Sequence, residues 1–235
     1  MKTPLSAISD MNNNLVVKHN DLIEASYKLT LEEQRLILAS ISKVDSRKDV
    51  PVEIMITAKE YAELFDLQLK HSYFQLKEAT NNLYERDIQI KGKKQTERMR
   101  WVYKVAYSDG EGYVTLKFSP EIKLYLSQLN GMFTSYQIAN IAKLKSLYSI
   151  RMYELLNQWK ITGKRVIPLG EFRRILELED SYPRFADLKR RVIQPAVDEL
   201  NKQTDIAVSF DVEKQGRAVS TLLFSFSAKP VQLEA

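Results

Sequence analysis

The chain has 235 residues, 44% hydrophobic and 28% charged, which is the composition of an ordinary globular protein. It has no cysteine, which excludes a disulfide framework, a cysteine zinc site and a thiol nucleophile. No apolar run approaches the roughly 18 residues of a membrane span, so we expect a cytoplasmic protein without membrane segments. The net charge of +5 is concentrated after residue 140 and in the stretch Lys91–Lys104, which favours an acidic partner.

The first predicted elements follow a start, residues 1–14, that we expect to be disordered. "LTLEEQRLILASISKV" predicts a helix, because Thr30 and Glu33 have the spacing of a capping box and apolar residues follow at helical period. "VPVEIMI" alternates in the manner of a short strand. A second capping-box pair, Thr57 and Glu60, predicts that a short helix begins at "AKEYAELF".

A longer helix, "HSYFQLKEATNNLYER", comes after the turn "DLQL". Three strands are predicted next, in "DIQIKG", "MRWVYKVAYSDG" and "GYVTLKFS". The last two are joined by the glycine-containing turn Asp109–Gly112.

The second half repeats this order. "SLYSIRMYELLNQWK" predicts a helix whose apolar stripe includes Tyr148 and Trp159, and "RVIPL" predicts a short strand. "GEFRRILEL" is a short helix, "EDSY" a turn, and "PRFADLKRRVIQPAVDELNKQ" a long helix. The chain then forms a hairpin whose turn lies around Gln215–Gly216.

The repeated order of helix, strand, short helix, turn, long helix and β-ribbon indicates two copies of one α+β domain. We place them at 15–140 and 141–228, followed by a tail at 229–235. A single mixed α/β domain is the alternative. A short helix, a tight turn, a long helix and a hairpin form the outline of a winged helix-turn-helix, whose second helix enters the major groove of DNA. We therefore predict two tandem winged helix-turn-helix domains related by pseudo-symmetry.

The positions of residues around the second long helix agree with this interpretation. At 100° per residue, its predicted buried stripe comprises Phe185, Leu188, Val192, Ala196 and Leu200, with Ile193 at the edge. The opposite side carries Arg184, Asp187, Arg190, Arg191 and Gln194. Arginine forks suit guanine and glutamine suits adenine, so this side is equipped to read bases.

Lys189 and Pro195 depart from the simple pattern of this helix. Lys189 falls on the buried side, so its stem must run out along the domain edge, and we count its ammonium among the predicted contacts to DNA. Pro195 removes a backbone donor and predicts a kink near Arg191.

The first long helix is less basic, but its ribbon compensates. We predict contacts from the ribbon to DNA phosphates by Lys91, Lys93, Lys94, Arg98 and Arg100. The second domain is then expected to supply most base contacts, and the first domain to add backbone contacts.

Enzymatic motifs are missing from the sequence. The two histidines, His19 and His71, are too far apart for the His-x-His motif of a nicking enzyme, and there is no phosphate-binding loop. The acidic turn of Glu177, Glu179 and Asp180 is interpreted as solvated rather than metal-binding. We predict a non-enzyme without cofactor or metal.

Three blocks together resemble the iteron-binding plasmid replication initiators (F-plasmid RepE-like initiators). They are "LVVKHNDLIEASYKLTLEEQRLILASI", "SLYSIRMYELL" and "SYPRFADLKRRVIQPAVDELNKQT" through "FSF". The resemblance implies two winged-helix domains that bind repeated origin sequences, the iterons, as a monomer and help to open the origin. It also implies a homodimer, formed largely through the first domain, that binds an inverted-repeat operator and represses its own gene. The host initiator and the replicative helicase are further possible partners.

The resemblance also implies site residues. Arg190 and Arg191 match the DNA-contacting arginines of the family, and Arg184 matches a basic position at the start of the family's helix. Lys214 and Arg217 match the basic wing turn of the family. In the first domain, the equivalent helix contributes Lys70, Ser72 and Lys77.

Two other functions remain open at this point. A dimeric winged-helix transcriptional repressor without a replication role would share the same DNA-binding face. A protein-interaction module with solvated basic faces would lack the steep salt dependence of DNA binding.

Overall fold

The computed structural model describes residues 15–92, 94–107 and 110–230, and the chain divides into two compact units between Lys143 and Leu144. The first unit contains β1 (Leu15–His19), α1 (Asn20–Ile23), α2 (Leu31–Ile41), β2 (Ile54–Thr57), α3 (Ala58–Leu64), α4 (Leu69–Tyr84), β3 (Asp87–Lys91), β4 (Thr96–Arg100), β5 (Val102–Tyr107), β6 (Tyr113–Phe118), α5 (Pro120–Lys123) and β7 (Phe133–Gln137). The second contains α6 (Leu147–Asn157), β8 (Lys164–Pro168), α7 (Leu169–Ile175), α8 (Phe185–Leu188), a π-helical turn (Lys189–Ile193), α9 (Gln194–Gln203), β9 (Ile206–Gln215) and β10 (Ala218–Ala228). No helix within these described ranges combines the length and apolar character needed to cross a membrane.

The two predicted capping boxes are confirmed and position the first helices. At the start of α2, the Thr30 hydroxyl accepts from the Glu33 N–H while the Glu33 carboxylate accepts from the Thr30 N–H. The same pair of bonds opens α3. The buried Glu33 carboxylate also accepts a fork from Arg86, at 2.8 and 2.9 Å, which raises the pKa of Arg86. Since Arg86 follows α4, this ion pair ties α2 to the end of the long helix.

The strands of the first unit differ from the prediction at Trp101. The single strand expected in "MRWVYKVAYSDG" is wrong, because Trp101 is fully buried and the chain changes partner there. Before it, β4 pairs with β3, and after it, β5 pairs with β6 in a sheet of order β2–β6–β5. The predicted turn Asp109–Gly112 and the predicted tail 229–235 lie partly outside the described residues, and Lys93 and the start 1–14, which was expected to be disordered, lie wholly outside them.

Further corrections concern the ends of elements. Val52 lies before β2 and is 68% exposed, so the alternation in "VPVEIMI" overstated that strand. Helix α6 ends at Asn157, which leaves Trp159 in a turn and 47% exposed instead of in the buried stripe. The antiparallel pair β1–β7 was not predicted.

The short helix of each unit ends in the same way, which supports the predicted duplication at the level of backbone geometry. Asp66 after α3 and Glu177 after α7 have φ of 52° and 53°, the left-handed conformation of a helix C-terminus. In both cases the next residue donates its N–H five residues back, to a helix carbonyl at 2.8 Å. The two units also share the order helix, strand, short helix, long helix and a hairpin that pairs with that strand, in sheets of order β2–β6–β5 and β8–β10–β9, and the first unit has the ribbon β3–β4 before its hairpin.

The long helices α4 and 185–203 share their buried positions. From Leu76 onward, the buried residues of α4 are Leu76, Ala79, Thr80 and Leu83, and those with the same spacing in 185–203 are Ile193, Ala196, Val197 and Leu200. This spacing places Glu78 of α4 where the second helix has Pro195. Helix α4 is regular throughout, whereas the second helix is not.

The irregularity is the π-helical turn, and Pro195 accounts for it. Proline donates no N–H, and its ring would clash with the Arg191 carbonyl in a regular α-helix. Instead, the Gln194 N–H reaches back five residues to the Lys189 carbonyl. The predicted kink is therefore resolved as one wide turn that inserts a residue into the helix.

We predict that two glycines with equal φ respond differently to alanine. Gly163 and Gly216 have φ of 64° and 63°, but a Cβ on Gly163 would lie 2.6 Å from the Phe226 carbonyl oxygen, whereas one on Gly216 meets nothing within 4 Å. Gly216→Ala should lower the free energy of unfolding by about 1 kcal/mol, the cost of left-handed backbone. Gly163→Ala should cost about 1–3 kcal/mol more, because its backbone neighbour must move. Urea unfolding of the full chain measures both, and equal losses would contradict the close approach.

Candidate nucleic-acid interface

The long helix 185–203 has one buried side and one exposed side. Leu188, Val192 and Ile193 are fully buried against the unit, whereas Arg190 and Arg191 are exposed. Ile193 was expected at the edge of the stripe, and it is buried because it lies on the same face as Ala196, Val197 and Leu200 of α9. The arginines nevertheless lie on the solvent side.

Carboxylates on the same helix hold two of the predicted base-reading residues. Arg190 donates to Asp187 at 2.9 Å, and Gln194 donates to Asp198 at 2.8 Å. Arg191 has no ion pair or side-chain hydrogen bond to any described residue. Its guanidinium therefore has all five donors available to a ligand without breaking an existing bond.

Lys189 is directed toward the hairpin, as its helical phase required. Its ammonium lies 5.4 Å from the centre of the Phe210 ring on β9, within the range of a cation–π contact. A contact to DNA by Lys189 would give up that interaction. Its place in the structure favours a role in holding the hairpin against the helix.

The hairpin tip supplies the wing, which we define as residues 214–218, where β9 turns into β10. Gln215 pairs with Ala218, so Gly216 and Arg217 form a two-residue turn. Lys214 and Arg217 are exposed there and line a groove of ≈ 610 Å³, together with Pro183 and Phe185 at the helix start. The wing cations and the first turn of the long helix thus border one concave surface.

Arg173 organises this surface, and sequence reasoning did not identify it. Its guanidinium donates to the carbonyls of Leu178 at 3.1 Å, Ser181 at 2.8 Å and Tyr182 at 2.7 Å. These three carbonyls lie in the turn that leads from α7 to α8. One side chain therefore fixes the path by which the chain enters the long helix. The sequence indicated only a basic residue at the end of a short helix.

In the first unit, the helix α4 presents fewer available groups than predicted. Ser72 is fully buried, and its hydroxyl donates to the Gln68 carbonyl at 2.9 Å, so its side chain cannot reach a duplex in this structure. Lys77 is half-buried, with its ammonium 4.4 Å from the centre of the Tyr107 ring. Lys70 is exposed at the start of the helix.

The ribbon β3–β4 carries its cations close to carboxylates. Arg98 donates to Asp87 at 2.6 Å, and Arg100 pairs with Asp87 at 3.0 Å and with Glu85 at 3.2 Å. Lys91 and Lys94 are exposed near the turn. The paired arginines offer less net positive charge to a phosphate than their number implies, because two acids offset them.

Comparison with known proteins gives consistent matches along the chain. The family model described as "Initiator Replication protein, WH1" matches residues 15–157, and the one described as "Initiator Rep protein, WH2" matches 168–226. A replication initiation protein of Escherichia coli is 30% identical over 226 residues, covering 91% of this chain and 70% of the relative. The PI protein of Escherichia coli is 29% identical over 266 residues, covering 94% of this chain and 86% of the relative.

A solved structure shares the fold. It is described as the Pi initiator protein in complex with iteron DNA, and it is 27% identical with a TM-score of 0.78. The match covers 93% of this chain and 98% of that one. The likeness therefore extends over both units.

We predict that the Arg173 contacts can be measured as stability. Arg173→Met should lower the free energy of unfolding by about 1–3 kcal/mol, because three carbonyls lose a charged donor. The control is Arg174→Met, since the neighbouring guanidinium forms a fork with Glu171 on its own helix. Such a pair is worth about 0.3–0.5 kcal/mol. Urea unfolding of the full chain reports both variants, and a larger loss in the control would refute the assignment.

Proposed function

Because this chain belongs to the family of initiator replication proteins with winged-helix domains WH1 and WH2, we propose that it initiates plasmid replication by binding iterons on double-stranded DNA. One observation carries this function to the residues. Lys214 and Arg217 border a groove together with the start of the long helix, and the unpaired Arg191 lies exposed further along that helix, in a fold that matches an initiator bound to iteron DNA. Duplex DNA has the complementary charge and shape.

The mechanism follows from this surface. The start of the long helix enters the major groove, where Arg191 donates two parallel hydrogen bonds to guanine O6 and N7. Lys214 and Arg217 contact a neighbouring phosphate ridge. The contacts to phosphates position the unit, and those to base edges specify the sequence. The protein works by binding, without a catalytic residue, and it acts where plasmid DNA lies, in the bacterial cytoplasm.

The finer part of the proposal concerns assembly. A single chain binds directly repeated iterons and helps to open the origin, and a homodimer binds an inverted operator and represses its own gene. The first unit is the proposed dimer contact, supported by β5, which forms the edge of its sheet and carries the half-exposed Tyr103. The host initiator and the replicative helicase are the proposed protein partners at the open origin.

The experiment for this function uses the DNA that flanks the gene. A plasmid whose only origin carries the tandem repeats should be maintained in cells only when the chain is supplied. In footprinting, we expect monomers on direct repeats and dimers on an inverted repeat. Binding only as a dimer, only on inverted repeats and without plasmid maintenance would make the chain a plain repressor.

We predict that Arg191 contributes to specificity, rather than only to charge. Arg191→Ala should weaken binding to the iteron by about 1–3 kcal/mol and binding to random duplex much less. The control, Lys202→Ala, removes an exposed charge roughly 16 Å further along the same helix and should leave the ratio of specific to random affinity unchanged. Titrations at several salt concentrations measure both. Equal losses on the two DNAs would remove base reading from Arg191.

A further inference from the structure

Phe74 of α4 is exposed where folding gives it no role. Its side chain is 70% exposed, in the second turn of a helix whose other side is buried on Leu76, Ala79 and Leu83. Lys70 lies one turn before Phe74, and both are on the solvent side. The position thus combines a large apolar surface with a neighbouring cation on the long helix of a helix-turn-helix.

The duplicated architecture assigns this position a counterpart. The buried residues of α4 and of 185–203 have the same spacing, with Leu76 equivalent to Ile193. Before the π turn the buried residues Ser72 and Leu188 correspond, with an offset one residue smaller, so Phe74 corresponds to the exposed pair Arg190–Arg191. The first unit therefore has an aromatic ring where the second unit has these arginines.

The surroundings of Phe74 leave its outer face open. Lys77 of the next turn is directed to Tyr107, and Ser72 is turned inward to the Gln68 carbonyl. No ring contact joins Phe74 to another aromatic residue within the described part of the chain. The ring is thus available to whatever the first long helix approaches.

The chemistry of the major groove identifies what such a ring can read. Thymine is the base that presents a methyl group there, and apolar side chains contact that group. We propose that Phe74 reads thymine through its C5-methyl group, so that the first unit selects sequence and does not only hold the backbone. This inference rests on the proposed function, because it requires the same DNA complex.

A selection from random duplexes tests this role and identifies the bound sequence in the same experiment. The wild-type chain, Phe74→Ala and Phe133→Ala each select DNA from a pool with about three helical turns of random sequence. Phe133 is the matched control, an exposed phenylalanine of the first unit on β7. We expect Phe74→Ala to lose the preference for one or two thymines and to keep the bases that depend on Arg191, and Phe133→Ala to keep the whole consensus.

Deoxyuridine provides the atomic test. Replacing the selected thymine by deoxyuridine removes only the methyl group, which should weaken wild-type binding about fourfold. Phe74→Ala should be insensitive to that replacement, and Phe74→Leu, which keeps an apolar surface, should retain part of the sensitivity. Circular dichroism of each variant verifies folding.

The outcomes separate the two proposals. An unchanged consensus in Phe74→Ala would overturn the role of Phe74, as would a change in sedimentation mass without a change in sequence preference, which would place the ring in a contact between copies. A wild-type chain that selects no consensus would instead refute the proposed function itself.

Discussion

The surface of the second unit that we propose as its DNA interface depends on the hydrogen bonds from one guanidinium to three carbonyls. Arg173 holds the turn between α7 and α8, and that turn sets where the long helix begins. In the first unit the turn before the long helix is shorter, since α4 starts three residues after the left-handed Asp66. The longer turn of the second unit exposes more backbone polar groups, and these need a partner. A side chain with several donors in a fixed plane meets that need, which lysine would not.

Acidic neighbours decide which cations are available to a ligand. Asp187 holds Arg190, and Asp87 holds both Arg98 and Arg100. The formal charge of the chain therefore overstates the charge available to a phosphate, and Arg191 matters because no described acid pairs with it. Exchanging a carboxylate for a phosphate costs an existing ion pair. The two units thus differ in how they can hold DNA, although they share a fold.

Local patterns in the sequence predicted much of the fold, but they did not predict the contacts between distant segments. The capping boxes at Thr30 and Thr57 depend on neighbouring residues only, and both were predicted. The pairing of β1 with β7 joins residues such as Leu15 and Gln137, and no local pattern encodes it. The same difference applies to the candidate site, where local patterns predicted some residues and not others. Helical phase placed Arg191 outside, but the contacts of Arg173 and the burial of Ser72 depend on packing that periodicity does not describe.

The π-helical turn has a consequence for how this surface can change. One inserted residue shifts everything before it by about 100° around the helix axis relative to α9. Deletion of one residue from this turn, combined with replacement of Pro195 in α9, would rotate Arg184 about the helix axis while α9 stayed packed on the core. The sequence preference would then change through the direction of existing side chains, and the origins of related plasmids would come to depend on different initiators.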